Sequence, residues 1–171
     1  APISDRVAYR IAVAHEDNQS FRDHVQSERW FFSPQLTWKI SDSTQLDFDS
    51  EFTRQDGTFD RGVSSYQKQF VMDPKTFTGE PDDGDHIQKD HFYQLRLAHQ
   101  FNDDWKMNNA LSVKDTQLKG FSSEPRHIQS DRRTLERQRR YRDNKSDDIL
   151  FQTEVLGTIQ QDWARHEVLL S

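Results

Sequence analysis

Trp30-Phe31-Phe32-Ser33-Pro34-Gln35-Leu36-Thr37-Trp38-Lys39-Ile40 sorts itself into two lists. Its even positions read Trp, Phe, Pro, Leu, Trp, Ile, and its odd positions read Phe, Ser, Gln, Thr, Lys. Successive side chains of a strand point to opposite faces, so a period of two marks a strand with one apolar and one polar face. After Ser41-Asp42-Ser43 the sorting resumes: Thr44, Leu46, Phe48, Ser50 and Phe52 alternate with Gln45, Asp47, Asp49, Glu51 and Thr53. The two runs and the short polar link between them predict a hairpin.

The same period recurs along most of the chain. Val7, Tyr9, Ile11 and Val13 form one apolar list, and His91, Tyr93, Leu95, Leu97, His99 and Phe101 another. Trp105, Met107, Asn109, Leu111 and Val113 follow, then Ile149, Phe151, Thr153, Val155, Gly157 and Ile159, with a short strand from about Trp163 closing the chain. The 149–159 run is the weakest, because Leu150 and Leu156 sit on its polar list. Residues 131–143 have helical propensity but no apolar stripe to seat a helix.

Composition narrows the classes. Of 171 residues 32% are hydrophobic, 30% charged and 12% aromatic, with a mean hydropathy of -1.04. So many aromatics argue for a folded chain. The net charge of -6 disfavours bulk binding to nucleic acid or anionic lipid, and without cysteine there is neither a disulfide framework nor thiolate chemistry. No apolar run approaches the roughly 20 residues of a membrane helix, and Ala1-Pro2-Ile3-Ser4-Asp5 is not a signal peptide. The chain reads as mature, processed or excised.

The links between strands carry the most information. Ser41-Asp42-Ser43, Asn102-Asp103-Asp104 and Gln160-Gln161-Asp162 are tight, whereas the segments at about 16–27, 56–89 and 119–133 are long. Tight and long links alternate, so an up-and-down meander places all tight turns at one end and all long loops at the other. Transmembrane β-barrels have that asymmetry. The runs of about 10 residues also match what a tilted strand needs to cross a bilayer. Trp38, Trp105 and Trp163 lie beside tight turns, while Trp30 lies eight residues from Trp38 on the same face. At about 3.3 Å per residue and a tilt near 45°, the two are roughly 19 Å apart along the membrane normal, as two aromatic girdles would be. A soluble sheet with one face on a core shares the alternation but has no reason for the lopsided links.

The chain resembles part of the barrel of TonB-dependent siderophore receptors, most closely the ferric hydroxamate (ferrichrome-type) branch. The residues that carry the resemblance are Ser27-Glu28-Arg29-Trp30-Phe31-Phe32-Ser33-Pro34-Gln35-Leu36-Thr37-Trp38, Phe77-Thr78-Gly79-Glu80-Pro81 and His99-Gln100-Phe101-Asn102-Asp103-Asp104-Trp105. Asp147-Asp148-Ile149-Leu150-Phe151-Gln152-Thr153-Glu154 and His166-Glu167-Val168-Leu169-Leu170 complete them. The resemblance implies an all-β fold: an antiparallel up-and-down meander of about seven long strands, part of a transmembrane β-barrel of about 22 strands. Residues 1–171 then form one partial barrel domain, without the plug domain and without the TonB-binding N-terminal region. The implied partners of the complete receptor are a ferric siderophore, TonB, the protein's own plug and outer-membrane lipid, with no nucleic acid. The implied location is a bacterial outer membrane. No cofactor or bound metal is expected; iron enters only as the ferric siderophore ligand. A small soluble β-barrel or sandwich that binds an apolar ligand, and another kind of outer-membrane pore, are the alternatives.

Site expectations follow from residue type and parity. Trp30, Phe32, Leu36, Trp38, Ile40, Leu46, Phe48, Phe52, Leu95, Leu97, Phe101, Trp105, Leu111, Val113, Phe151 and Val155 are assigned to the lipid face. Phe59, Arg61, Tyr66 and Phe77 of the long loop are candidate ligand contacts, since a bulky chelate is gripped by aromatic faces and a few polar groups. In the arginine-rich run 132–142, a strand continued back from residue 149 turns Arg137 and Arg139 outward, toward lipopolysaccharide phosphates. Arg140 and Arg142 then face the lumen, as candidate contacts for an anionic ligand or for the plug. Glu80-Pro81-Asp82-Asp83-Gly84-Asp85 lacks the spacing of a calcium loop, and no catalytic motif is present, so no enzyme activity and no metal site are expected.

Overall fold

The computed structural model describes all of residues 1–171. Seven strands form one antiparallel sheet: β1 (Val7–Gln19), β2 (Gln26–Ser41), β3 (Thr44–Gly57), β6 (His86–Gln100), β7 (Trp105–Ile128), β8 (Leu135–Gln160) and β9 (Arg165–Leu170). Between β3 and β6 the long loop carries a small separate hairpin, β4 (Ser65–Tyr66) with β5 (Gln69–Phe70), and a 3-10 turn at Pro81–Asp83. The seven strands pair in chain order, as an up-and-down meander requires.

The registers put the two sequence lists on two faces. Tyr9, Leu36, Phe48, Leu95, Leu111 and Phe151 are successive cross-strand partners and form one apolar row. One residue over, Arg10, Gln35, Asp49, Gln94, Ser112 and Leu150 form a row that is polar except for Leu150. Polar side chains bond across that second face: Arg96 to Asp49 at 2.6 Å, Gln94 to Ser112 at 2.9 Å, Thr37 to Asp47 at 2.7 Å and Thr116 to Asp90 at 2.9 Å. Such pairs fix the register on the side that has no apolar packing to fix it.

The sheet is a single layer. Nine of 171 residues are buried, and Ile128 is the only large apolar one. Trp30, Phe32, Leu36, Trp38, Phe48, Leu95, Leu111 and Phe151 are all exposed on one face. A soluble sandwich or closed small barrel would bury that face against a second layer, and this chain supplies none.

The strands run further than hydrophobic alternation alone predicts. The long links shrink to residues 20–25, 58–85 and 129–134, while β7 and β8 reach 24 and 26 residues. Beyond the apolar band, pairs such as Lys119–Asp143 and Arg142 with Ser122 take over the ladder. Residues from Leu135 onward are therefore strand, and the helical propensity of 131–143 is overridden. At the tight-turn end, Asn102 Oδ1 accepts the backbone N–H groups of Asp104 and Trp105 at 3.0 and 2.9 Å. Trp105 lies over Gly157, where a Cβ would collide with its ring. Glycine is what admits the indole there.

The bare apolar face predicts an asymmetric response to charge. Leu95→Arg should destabilise the assembled barrel in a bilayer by about 2–4 kcal/mol. Gln94→Arg, one residue away and opposite Asp49, should cost less than about 1 kcal/mol. Reversible denaturation in lipid vesicles measures both, and equal costs would mean that the two faces do not meet different solvents.

Candidate functional site

Above the apolar band, β7 and β8 continue as a two-stranded extension ending in the 129–134 turn. β6 begins only at His86, so the β7 edge above Lys119 has no strand partner on that side. Loop 58–85 fills the gap and straddles that edge. On the polar face it places Phe59 and Arg61 against the extension; on the opposite face it places Gly79–Asp83 there.

The polar-face half is a stack of rings and guanidiniums. The Phe59 ring lies on the His86 ring with centroids 4.6 Å apart. Arg61 and Arg142 sit over the same phenyl group at 4.8 and 5.0 Å. Arg142 donates to Ser122 Oγ at 2.5 Å and to Glu124. Arg61 approaches the other Glu124 oxygen at 3.7 Å. The bond from Arg142 holds the Glu124 carboxyl below the usual carboxylate range, so it stays ionised. Arg126 and Arg140 both donate to Oε1 of one residue, Gln138, the latter at 3.1 Å.

The opposite half is an anchor. Arg139 donates to Asp83 at 2.6 Å, and Ser123 donates to its other oxygen at 2.8 Å. Burial disfavours ionisation of Asp83, but these two bonds and the positive charges of Arg139 and Arg137 together outweigh it and keep the carboxyl below its ordinary range. Arg137 donates to the Gly79 carbonyl and to Glu80, the latter at 3.1 Å. On the far side of the loop, Arg22 meets Asp60 at 2.8 Å and the Pro74 carbonyl at 2.8 Å, and Thr58 Oγ1 donates to the His24 carbonyl at 2.8 Å.

Not every expected site residue joins this cluster. Phe59, Arg61 and Arg142 come together, with Arg140 one strand position away on the same face. Tyr66 lies near the turn of the extension, under Arg132 at 5.4 Å. Phe77 folds over Gly79 and faces His24, with ring centroids 6.2 Å apart. Arg137 and Arg139 face away from the polar side, as their parity requires, and their guanidiniums are engaged by Glu80 and Asp83. Sequence reasoning passed over His86, Glu124, Arg126 and Gln138. Glu124, Arg126 and Gln138 are placed by the unexpected length of β7 and β8, and His86 by the start of β6 opposite Gly57.

The geometry is matched by known proteins. The chain is 32% identical over 163 residues, 95% of its length, to the metal-pseudopaline receptor CntO of Pseudomonas aeruginosa, and it spans 23% of that protein. No family model matches the chain. Among solved structures, the open form of the ferric-catecholate import receptor Fiu from E. coli K12 superposes with a TM-score of 0.86 at 18% identity. That match covers 99% of this chain and 29% of the receptor. The siderophore receptor PiuA from Acinetobacter baumannii superposes with a TM-score of 0.84 at 15% identity, over 99% of this chain and 26% of that one. The fold is that of a siderophore-receptor barrel wall. The expected affinity with the ferric hydroxamate branch is corrected: these similarities run to metal-pseudopaline and ferric-catecholate receptors.

His86 gives the loop a pH dependence with a definite sign. Burial, and then Arg142 beside it, hold the imidazole below its ordinary value near 6.5, while the Phe121 carbonyl pulls the other way. Its Nε2 is buried without a hydrogen-bond partner. With the loop open, the ring takes a proton near its ordinary value; in the packed state it does so only at lower pH. Packing is therefore at full strength above about pH 6.5 and weakens as pH falls below it. Asp83 adds a second loss further down, below the ordinary aspartate range. Protection of residues 58–85 against hydrogen exchange, corrected for the intrinsic pH dependence of amide exchange, should fall between pH 7.5 and 5.5, and His86→Phe should flatten that step. An unchanged step in the variant would place the sensor elsewhere.

Proposed function

We propose that this chain is part of the wall and mouth of a bacterial outer-membrane receptor that imports a metal chelate, with energy from TonB. Its apolar face meets lipid. Its polar face lines the lumen, toward a plug domain carried elsewhere in the complete protein. Loop 58–85 and the β7–β8 extension form one side of the external mouth. The observation that carries this reading is the single-layer sheet with a bare apolar face, capped at one end by a loop pinned on both sides of an extended hairpin. The 32% identity to a metal-pseudopaline receptor over 95% of the chain supports a chelated metal as the cargo.

Within the mouth, Phe59, Arg61, Arg140 and Arg142 are the ligand-contact residues of this reading, because they share one face and present rings and donors together. Tyr66 and Phe77 are better placed to shape the loop than to touch a ligand. Arg137 and Arg139 were candidates for lipopolysaccharide contact. With Glu80 and Asp83 already against them, we assign them to holding the loop.

The complete polypeptide carrying this sequence, expressed in a metal-starved host lacking its own receptors, should raise uptake of chelated iron. Dissipating the proton gradient should abolish that uptake. Removal of residues 63–78, which spares Phe59 and Arg61, should lower uptake several-fold while the protein still reaches the outer membrane. Uptake indifferent to the proton gradient would exclude TonB coupling and point to a passive pore.

A further inference from the structure

The outward face of the β7–β8 extension carries an aromatic pair that neither the lipid band nor the mouth accounts for. Phe121 and Tyr141 are cross-strand partners with ring centroids 4.7 Å apart. They lie eight residues beyond Val113 and Ile149, the last apolar pair of the band, and share its parity. They therefore face away from the lumen, on the side opposite Phe59 and Arg142. Phe121 is 37% exposed and Tyr141 50%. Between band and pair the outward positions are polar: Asp115 opposite Asp147, Gln117 opposite Lys145 and Lys119 opposite Asp143.

Height decides what can reach this pair. At about 3.3 Å per residue and a tilt near 45°, eight residues lift it roughly 19 Å above the last apolar row. An ordinary headgroup layer is only about 5–8 Å deep on each side of the hydrocarbon, so it ends well below Phe121 and Tyr141. Plug and ligand belong to the other face, and the neighbouring strands of a barrel lie beside the pair and not over it. What continues the lipid face upward in an outer membrane is the sugar of the outer-leaflet glycolipid. The platform is also set in place beforehand. The Arg139 guanidinium lies over Phe121 at 4.1 Å and is itself held by Asp83 at 2.6 Å. Aromatic rings offer apolar faces to the C–H faces of sugars, while the Tyr141 hydroxyl and the remaining Arg139 donors suit sugar hydroxyl groups.

Resting on the outer-membrane placement of the import reading, we propose that Phe121 and Tyr141 dock the saccharide headgroup of the surrounding lipopolysaccharide on the outside of the extension. The outward face is then layered as that leaflet is: apolar residues against acyl chains, a charged belt at the headgroup, and aromatics against sugar. Arg139 touches both Phe121 and Asp83, so the docked sugar abuts the same guanidinium that anchors loop 58–85.

The test offers the complete receptor, in nanodiscs, two lipopolysaccharides that share lipid A: one with the whole core oligosaccharide and one without it. Mass spectrometry counts the glycolipid retained per receptor. Wild-type protein should retain about fivefold more of the sugar-bearing form. The double variant Phe121→Ser/Tyr141→Ser should erase that preference and leave retention of the sugar-free form unchanged. The exchange Phe121→Tyr/Tyr141→Phe keeps both rings; it should keep the preference and shows that the extension still folds. Equal retention of the two forms by the wild type, equal loss of both in the Ser variant, or loss of the preference in the exchange variant overturns the proposal. Uptake of chelated iron by cells carrying the same proteins separates the two readings. Uptake without a sugar preference overturns the docking surface and leaves the import reading standing. A sugar preference without uptake removes the import reading and leaves the docking surface.

Discussion

A single β-sheet with no second layer is the constraint on which everything else depends. Backbone pairing is nearly self-contained here: 101 backbone hydrogen bonds run through 171 residues, most of them in the strand ladders. Side-chain burial is almost absent, with Ile128 the one buried large apolar residue. A soluble protein reverses that balance, because apolar burial is its main favourable term. The arrangement is stable only where hydrocarbon covers one face and the free edges of β1 and β9 find neighbouring strands. Both conditions are those of a barrel in a bilayer, where closed pairing satisfies every backbone group. The same logic explains why polar pairs such as Asp49–Arg96 recur on the other face: without a core, side-chain hydrogen bonds and cross-strand ion pairs are what hold the register on that side.

Much of this was legible in residue order. The stretch from Trp30 to Ile40 fixes parity for β2, and the tight link at Ser41–Ser43 carries that parity into β3. Every later apolar list then falls on the same side through successive antiparallel pairs. The alternation of tight and long links gave the meander its polarity without any tertiary information. Legibility stops where hydrophobic contrast stops. From Lys114 to Ile128 and from Leu135 to Asp148 apolar residues are sparse, with Phe121–Tyr141 and Ile128–Leu135 as isolated cross-strand pairs, so the period of two is too weakly marked to be read. The strands persist there because cross-strand hydrogen bonds and ion pairs replace the contrast. Long links were therefore read where the structure has ladder.

The mouth was legible in its composition and not in its connections. Phe59, Arg61, Arg140 and Arg142 stand out as rings and guanidiniums in exposed segments. That Glu124 sits between Arg61 and Arg142 depends on β7 reaching past residue 120, which nothing local announces. The partners of Arg137 and Arg139 lie more than fifty residues away in the loop. Asp83, in an acidic turn that looked solvated, is nearly closed off at its carboxylate by Arg139 and Ser123.

Alternation gives one arginine-rich run two jobs. Odd-numbered Arg137 and Arg139 grip the loop from one side of the extension, while even-numbered Arg140 and Arg142 present donors on the other. A register slip of one residue in β8 would exchange the two sets, setting Asp83 and Glu80 opposite the wrong side chains and turning the loop anchors into the mouth. The ladder is protected against that slip further down, where Leu111–Phe151 and Val113–Ile149 must stay on the apolar face. Lipid thus sets the register at one end of β8, and the ladder carries it about ten residues upward, past the Phe121–Tyr141 pair, to a region where apolar contacts are few. On this view the length of the β7–β8 ladder is itself functional. It transmits the orientation that the bilayer enforces to the guanidiniums proposed above as ligand contacts.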